Sequence, residues 1–168
     1  TWLQTDSTTD VKGWIKWVKA TGTGNTGWVA GPEADTGWRD VSSLLNADAL
    51  AKVQTWTAVR LRRVGGTVHL LVSATVGTGT AAGTSNGIRL FTSTPAGFKG
   101  VGLGEAVGTL LYSGIYLCPV SYNASTAYPY IDGPVGATGR NWGAGVLDGQ
   151  LSYVTADAWP TSLPGSAA

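Results

Sequence analysis

Two runs of alternating residues flank the pair Gly65-Gly66 and carry the clearest structural signal in the sequence. The runs are Val59–Val64 and Thr67–Val72, and alternation with a period of two predicts strands with one buried face. Glycine supplies the positive φ that a two-residue primed turn requires, so these runs predict a β-hairpin. Pairing outward from the turn places on the core face Arg63 opposite Val68, Leu61 opposite Leu70, and Val59 opposite Val72. The other face, which suits a second packing surface or a subunit contact, carries Arg60, Arg62, Val64, Thr67, His69 and Leu71.

Short apolar runs separated by glycine and proline predict strands through most of the chain. A second two-residue turn is predicted at Asp148-Gly149, between Trp142–Leu147 and Gln150–Thr155. The helical candidate is Asn46–Lys52, where Asn46 would cap a turn or two. Strands at this spacing predict an all-β fold, an antiparallel β-sandwich or a jelly-roll-like head. The other predicted strands are Trp14–Lys19, Gly27–Ala30, Gly37–Ser42, Ile88–Thr92, Gly108–Cys118 and Ala127–Ile131.

The first 34 residues differ in composition from the rest of the chain. They contain four of the eight tryptophans and hardly any leucine. A piece this poor in aliphatic side chains cannot bury its own surface, so we expect it to pack against a partner chain or the following domain. The predicted organisation is a short Trp-rich β-hairpin connector or shaft segment over residues 1–34 and a β-sandwich head domain over residues 35–168.

Charge is sparse and balanced, with 11 basic and 10 acidic residues in 168. A domain that binds nucleic acid would show a basic excess, so nucleic acid is not an expected partner. No segment reaches the apolar length of a membrane span, and no membrane insertion is expected. The sequence contains no methionine and begins at Thr1 without a signal-peptide pattern, so we expect the C-terminal part of a longer protein.

Groups that could carry catalysis are few. The single histidine, His69, lies in mid-strand, and the single cysteine, Cys118, lies in an apolar run, which favours a buried thiol. A zinc site needs at least three protein ligands, and with one His and one Cys the remaining ligands would have to be carboxylates. No metal or cofactor is therefore expected. The protein is predicted not to be an enzyme. A glycosidase stays open as an alternative because two carboxylates can converge from anywhere in a fold. Its candidate acids are Glu105, Asp132, Asp148 and Asp157.

Aromatic and amide residues are concentrated in the last third of the chain. Flat rings stack on the apolar faces of sugars, while amides and carboxylates bind sugar hydroxyls. For any one of these aromatic residues, a place in the core or in an interface is favoured over a ligand contact. Because loops on a rigid scaffold commonly carry binding groups, the loop-borne residues are the better candidates. The predicted carbohydrate- or receptor-binding residues are Tyr122, Asn123, Asp132, Arg140, Asn141 and Trp142.

Three segments in succession resemble the C-terminal head regions of tail-fibre and minor tail proteins of bacteriophages that infect actinobacteria. They are Thr36–Val41 with the letters GWRD, Val59–Val72 with RLRRVGGTVHL, and Leu90–Phe98, which ends in PAGF. In the last segment Ser93-Thr94 stands where such proteins usually have leucine. The stretch Val18–Val29 is similar to a small β unit found along fibre shafts. The resemblance covers residues 1 to about 98.

This resemblance implies a receptor-binding domain at the tail fibre or tail tip of a virion. Such a domain is expected to be a homotrimer, to attach to a host cell-surface polysaccharide or protein, and to join other tail proteins through its N-terminus. The resemblance implies no ligand residues, because the receptor-facing loops vary between such proteins. Two alternatives stay open: a structural tail-tip or decoration module without a receptor, and a fragment of a glycan-degrading tailspike.

Overall fold

The structure is a computed structural model of the 168-residue chain. It describes residues 2–4, 15–19, 28–30, 34–77, 87–101, 103–123, 128–135 and 142–168. Strands account for most of these residues and helices for few, so the all-β prediction is confirmed.

Three short strands form a small antiparallel sheet near the N-terminus. They are β1 (Trp2–Gln4), β2 (Ile15–Lys19) and β3 (Trp28–Ala30), with β2 in the middle. Trp2 lies opposite Trp17 in the β1–β2 pair. β2 and β3 match the strands predicted over Trp14–Lys19 and Gly27–Ala30, whereas β1 was not predicted. The domain boundary near residue 34 stays a prediction.

A second antiparallel sheet contains nine strands. In chain order these are β4 (Arg39–Asp40), β5 (Thr55–Val64), β6 (Thr67–Val76), β7 (Ile88–Arg89), β8 (Leu103–Tyr112), β9 (Tyr116–Asn123), β10 (Tyr128–Ile131), β11 (Gly145–Val154) and β12 (Ser166–Ala167). Their order across the sheet is β12-β4-β5-β6-β11-β8-β9-β10-β7. Between β4 and β5 lie a 3-10 helix (Ser42–Leu44) and α1 (Ala47–Lys52). Asn46 caps α1 as predicted, since its side chain accepts a hydrogen bond from the Ala49 amide at 2.9 Å.

The β5–β6 hairpin forms as the alternating pattern predicts. Arg63 pairs with Val68, and the register continues through the two further pairs that the sequence indicated. The predicted core face is buried along its length, and the opposite face is partly exposed. Of the two turn glycines, Gly65 alone adopts a positive φ, of 54°, which favours glycine at the first position of the turn.

Two predicted elements near the C-terminus are wrong. Asp148-Gly149 is not a turn, because β11 runs unbroken through it and pairs with β6 along ten residues. Conversely, the single strand predicted over Gly108–Cys118 is divided by a turn at residues 113–115, where Ser113 and Gly114 take φ values of 51° and 70°. The result is the β8–β9 hairpin, in which Tyr112 lies opposite Tyr116.

The core lies on one side of the curled nine-stranded sheet. Its apolar side chains come from strands across the sheet, from the loop around Phe91 and Phe98, and from α1. Because these nine strands are hydrogen-bonded into one sheet, the predicted arrangement of two separate sheets, as in a sandwich or jelly roll, is not confirmed.

Two buried arginines fix the segment that follows β11. Arg39 donates from Nε to the Pro164 carbonyl and from Nη2 to the Gly165 carbonyl, both at 3.1 Å. Arg63 donates from Nη1 to the Ala158 carbonyl and from Nη2 to the Asp157 carbonyl, at 3.0 and 2.9 Å. Both guanidinium groups therefore pair with backbone carbonyls of a segment that has no strand partner at these residues.

Candidate functional site

Two of the predicted binding residues belong to the core. Tyr122 lies in strand β9 rather than in a loop, is 1% exposed, and packs its ring 5.4 Å from that of Tyr153. Trp142 is 6% exposed and meets the ring of Tyr112 edge-on at 5.1 Å. Aromatic side chains bury large apolar areas, and these two rings lie within the hydrophobic core. A ligand-contacting role for these two residues is therefore not supported.

Of the other predicted residues, Asn123 and Asp132 lie at the ends of β9 and β10. Asp132 directly follows β10, is partly buried, and donates its backbone amide to the Pro119 carbonyl at 2.8 Å. Asn123 ends β9, opposite Tyr128, but its side chain lies outside the described residues. Arg140 and Asn141 also lie outside the described residues. The predicted set is therefore not assembled into one site by the part of the chain that the structure describes.

A different set of side chains lies together on the outer face of the sheet. Arg62 of β5 pairs with His69 of β6, and His69 pairs with Ser152 of β11. Trp38 immediately precedes β4, and because Arg39 points into the core, Trp38 lies on the outer face beside them. We call Trp38, Arg62, His69 and Ser152 the polar row.

Contacts between neighbouring strands hold the polar row in place. The Nδ1 atom of His69 lies 2.7 Å from Oγ of Ser152. The Trp38 and His69 rings are 6.4 Å apart between centroids and inclined at 59°. Arg62 donates from Nε and Nη2 to the two carboxylate oxygens of Asp35. The row therefore combines an indole ring, an imidazole, a hydroxyl and an oriented guanidinium on a rigid support.

Asp35 and Arg62 form an ion pair in which each group favours the charged form of the other. Burial by itself would raise the pKa of Asp35, but hydrogen bonds from Arg62 and the Gly37 amide, with the nearby positive charge, lower it below its ordinary 3.8. The hydrogen bond to Asp35 in turn raises the pKa of Arg62. The pair adds no net charge to the surface. The guanidinium presents its Nη1 amino group, which takes no part in the two bonds to Asp35.

Ser152, His69 and Asp35 are the residue types of a hydrolase triad, but their connections differ from one. A triad needs the carboxylate to accept from one imidazole nitrogen while the serine meets the other. Here the oxygens of Asp35 accept from Arg62 and Gly37. Among the described contacts none joins Asp35 to His69 by a hydrogen bond. The arrangement is suited to holding polar groups of a ligand; the prediction that the protein is not an enzyme stays a prediction.

The described residues offer no cluster of metal ligands and no helix that could span a membrane. In that part of the chain no group of three or more His, Cys, Asp or Glu side chains could hold a metal ion. No helix there is long and apolar enough to cross a membrane.

Comparisons with known proteins found no match for this chain. No family model, no characterised protein and no solved structure matches it. The resemblance to phage tail proteins therefore stays a hypothesis carried by the quoted segments alone.

Sequence reasoning found half of the polar row. The hairpin pattern placed Arg62 and His69 on the outer face, but Trp38 and Ser152 were not singled out. For Trp38 a signal exists, because alternation within Gly37–Ser42 sets its side chain opposite to that of Arg39. Ser152 joins the row only through the pairing of β6 with β11, which local patterns do not specify.

Proposed function

We propose that this chain is a non-enzymatic attachment domain of a bacteriophage tail, acting in the virion at the host cell surface. The observation that carries the proposal is the polar row, which is displayed on the outer face of a rigid antiparallel sheet. The order of the quoted segments, similar to tail-fibre heads, supports the phage context.

The chemistry of the polar row suits a host surface glycan. An indole ring offers an apolar face to a pyranose ring, and the flanking imidazole, hydroxyl and guanidinium groups pair with sugar hydroxyls. The ion pair with Asp35 leaves this surface without net charge, which favours a neutral sugar over an anionic one. A shallow site of this kind binds weakly at each copy and gains strength when several copies engage one cell.

Binding of the labelled chain to a panel of intact actinobacterial cells, read by flow cytometry, tests the proposal. On a strain that binds the wild-type chain, Trp38→Ala should lower apparent affinity at least about tenfold and Ser152→Ala about threefold, because ring stacking and a hydroxyl contact are lost. The matched control is Ser43→Ala, an exposed serine in the 3-10 helix, which should bind as the wild type does. Thermal melting of each variant checks that the fold is retained.

Other results would redirect the assignment. Cell binding that survives Trp38→Ala and Ser152→Ala in folded protein would remove the polar row from the receptor site. Failure to bind any strain, or to compete with phage infection, would favour a structural tail-tip module. Release of reducing ends from host envelope polysaccharide would favour the glycan-degrading alternative.

A further inference from the structure

A second line of side chains crosses the outer face of the sheet beside the polar row. Arg60 of β5 lies between Asp40 of β4 and Leu71 of β6, and Leu71 lies opposite Gln150 of β11. We call Asp40, Arg60, Leu71 and Gln150 the second row. Gln150 is exposed and the other three side chains are partly exposed. Both rows therefore cross the same part of the sheet.

One step of the strand pleat separates the two rows. Arg60 lies two residues from Arg62 on β5, and Leu71 lies two residues from His69 on β6. Residues two apart on a strand point to the same face and are about 6.5–7 Å apart. One pyranose unit of a linear glycan spans a comparable length. A chain of sugars can therefore place one unit on each row.

Hydrogen-bonding side chains continue from the polar row in one direction. Toward the β5–β6 turn, the next outward side chains are Val64, Thr67 and Val154, two of which are aliphatic. Away from the turn lie the guanidinium of Arg60 and the amide of Gln150. Because sugar hydroxyls require hydrogen-bonding partners, a glycan that occupies the polar row would extend away from the turn.

Arg60 has a donor that no described residue satisfies. Its Nε atom is buried without a hydrogen-bond acceptor, and within the described ranges no ion pair joins its guanidinium to a carboxylate. Asp40 lies opposite, but its Oδ1 atom accepts from the Ser42 amide at 2.9 Å. Arg62, in contrast, is held by Asp35. Because a buried donor without an acceptor is unfavourable, a ligand oxygen that Arg60 reaches by turning its side chain would stabilise the complex.

We infer that the ligand of this face is a linear glycan, bound through at least two consecutive neutral units, one on the polar row and the next on the second row. The inference rests on the proposed function. Leu71 offers an aliphatic floor to the apolar face of the second unit, with Arg60 and Gln150 on either side to bind its hydroxyls. Asp40 and Arg60 together leave the second row without net charge, which favours a neutral unit here as well. A single terminal sugar would use the polar row alone.

Competition of cell binding by saccharides of graded length tests the inference. Envelope polysaccharide from a strain that binds the wild-type chain is partly hydrolysed with acid and separated into mono-, di- and trisaccharides. The disaccharide should compete at a concentration at least about fivefold lower than the most effective monosaccharide, the gain expected from one or two added hydrogen bonds. In the double variant Arg60→Gln/Gln150→Ala this advantage should fall below about twofold, while competition by the monosaccharide stays as in the wild type.

The matched control is the double variant Arg89→Gln/Gln54→Ala. It removes the same chemical groups from the opposite edge of the sheet and from the residue before β5, so it should keep the full advantage of the disaccharide. Thermal melting checks that both double variants fold. Saturation-transfer NMR on the wild-type chain needs no variant, because protons of both rings of the bound disaccharide should receive saturation.

Three results would overturn the inference and leave the proposed function intact. They are saturation of one ring only, a disaccharide that competes no better than the monosaccharide, and an advantage that the Arg60→Gln/Gln150→Ala variant retains in full. If no saccharide fraction competes or receives saturation, the proposed glycan receptor fails and the inference fails with it.

Discussion

Arg63 donates a hydrogen bond from Nη1 to the carbonyl oxygen of Gly97, 2.6 Å away. From the same side chain Nε donates to Gly65, at 2.8 Å, and the guanidinium carbon lies 4.9 Å from the centre of the Trp159 ring. With its two bonds to the C-terminal segment, Arg63 joins the β5–β6 turn, the loop after β7 and the segment after β11. Burial lowers the pKa of Arg63, although the charge of Asp157 acts against this.

We expect Arg63→Ala to destabilise the protein by about 3 kcal/mol or more, because four backbone carbonyls lose a charged donor inside the fold. Arg63→Lys should recover less than half of this loss, since one ammonium cannot reproduce the spread of guanidinium donors. Urea unfolding followed by tryptophan fluorescence measures both, with Lys99→Ala as the surface control. Unfolding midpoints within error of the wild type for Arg63→Ala would show that these bonds do not stabilise the fold.

Gly149 should not tolerate a side chain. Its φ is 154°, and a Cβ atom there would lie 2.8 Å from Cδ2 of Leu110 in the core. We expect Gly149→Ala to lower the free energy of unfolding by about 2 kcal/mol through crowding and backbone strain. Gly66→Ala is the control, since its Cβ would approach only the Thr155 carbonyl oxygen, at 3.9 Å. Equal melting temperatures for the two variants would contradict this prediction.

The Cys118 thiol should be inert in the folded protein. It is fully buried, and burial, helped by the negative charge of Asp132, raises its pKa to about 12. Because the thiolate is the reacting form, Ellman's reagent at pH 8 should modify Cys118 only after unfolding in guanidinium chloride. Stoichiometric modification of native protein within minutes would place the thiol at the surface instead.

Asp48 should contribute to stability only above acidic pH. Burial alone would raise its pKa, but hydrogen bonds and charge from Lys52 and Arg89 lower it below the ordinary 3.8. A lowered pKa stabilises the fold above the unfolded-state value, and this contribution is lost as the pH falls through the folded-state value.

We therefore expect Asp48→Asn to cost about 0.5–1 kcal/mol at pH 7, a small effect because the carboxylate is partly exposed, and almost nothing near pH 2. Urea midpoints at both pH values measure the difference, with the exposed Asp148→Asn as control. A cost that stays the same at the two pH values would show that the ionised carboxylate is not the stabilising form.

Local signals in the sequence were sufficient where a single pair of neighbouring strands decides the structure. The alternation around Gly65-Gly66 fixed a register that involves no other strand, and Asn46 capped its helix within four residues. They failed at Asp148-Gly149, which is as favourable for a turn as many real ones. There the full-length pairing of β11 with β6 determines the outcome, and that pairing joins residues about eighty positions apart.

The candidate site was harder to predict for the same reason. Tyr122 carries polar atoms that suit a binding loop, yet its place on the inward face of β9 depends on the register with β8. Likewise, Ser152 and Trp38 reach His69 only after four strands, β4, β5, β6 and β11, have come together. Composition could suggest aromatic recognition chemistry, but it could not say which rings face solvent.

The bonds of Arg39 to carbonyls 125 and 126 residues further along the chain have a consequence for synthesis. A nascent chain can form the β5–β6 hairpin early, but β11 cannot pair with the free edge of β6, and β12 cannot close the edge at β4, until residues 145–167 have been synthesised. Until then the hairpin exposes the aliphatic side chains of its core face.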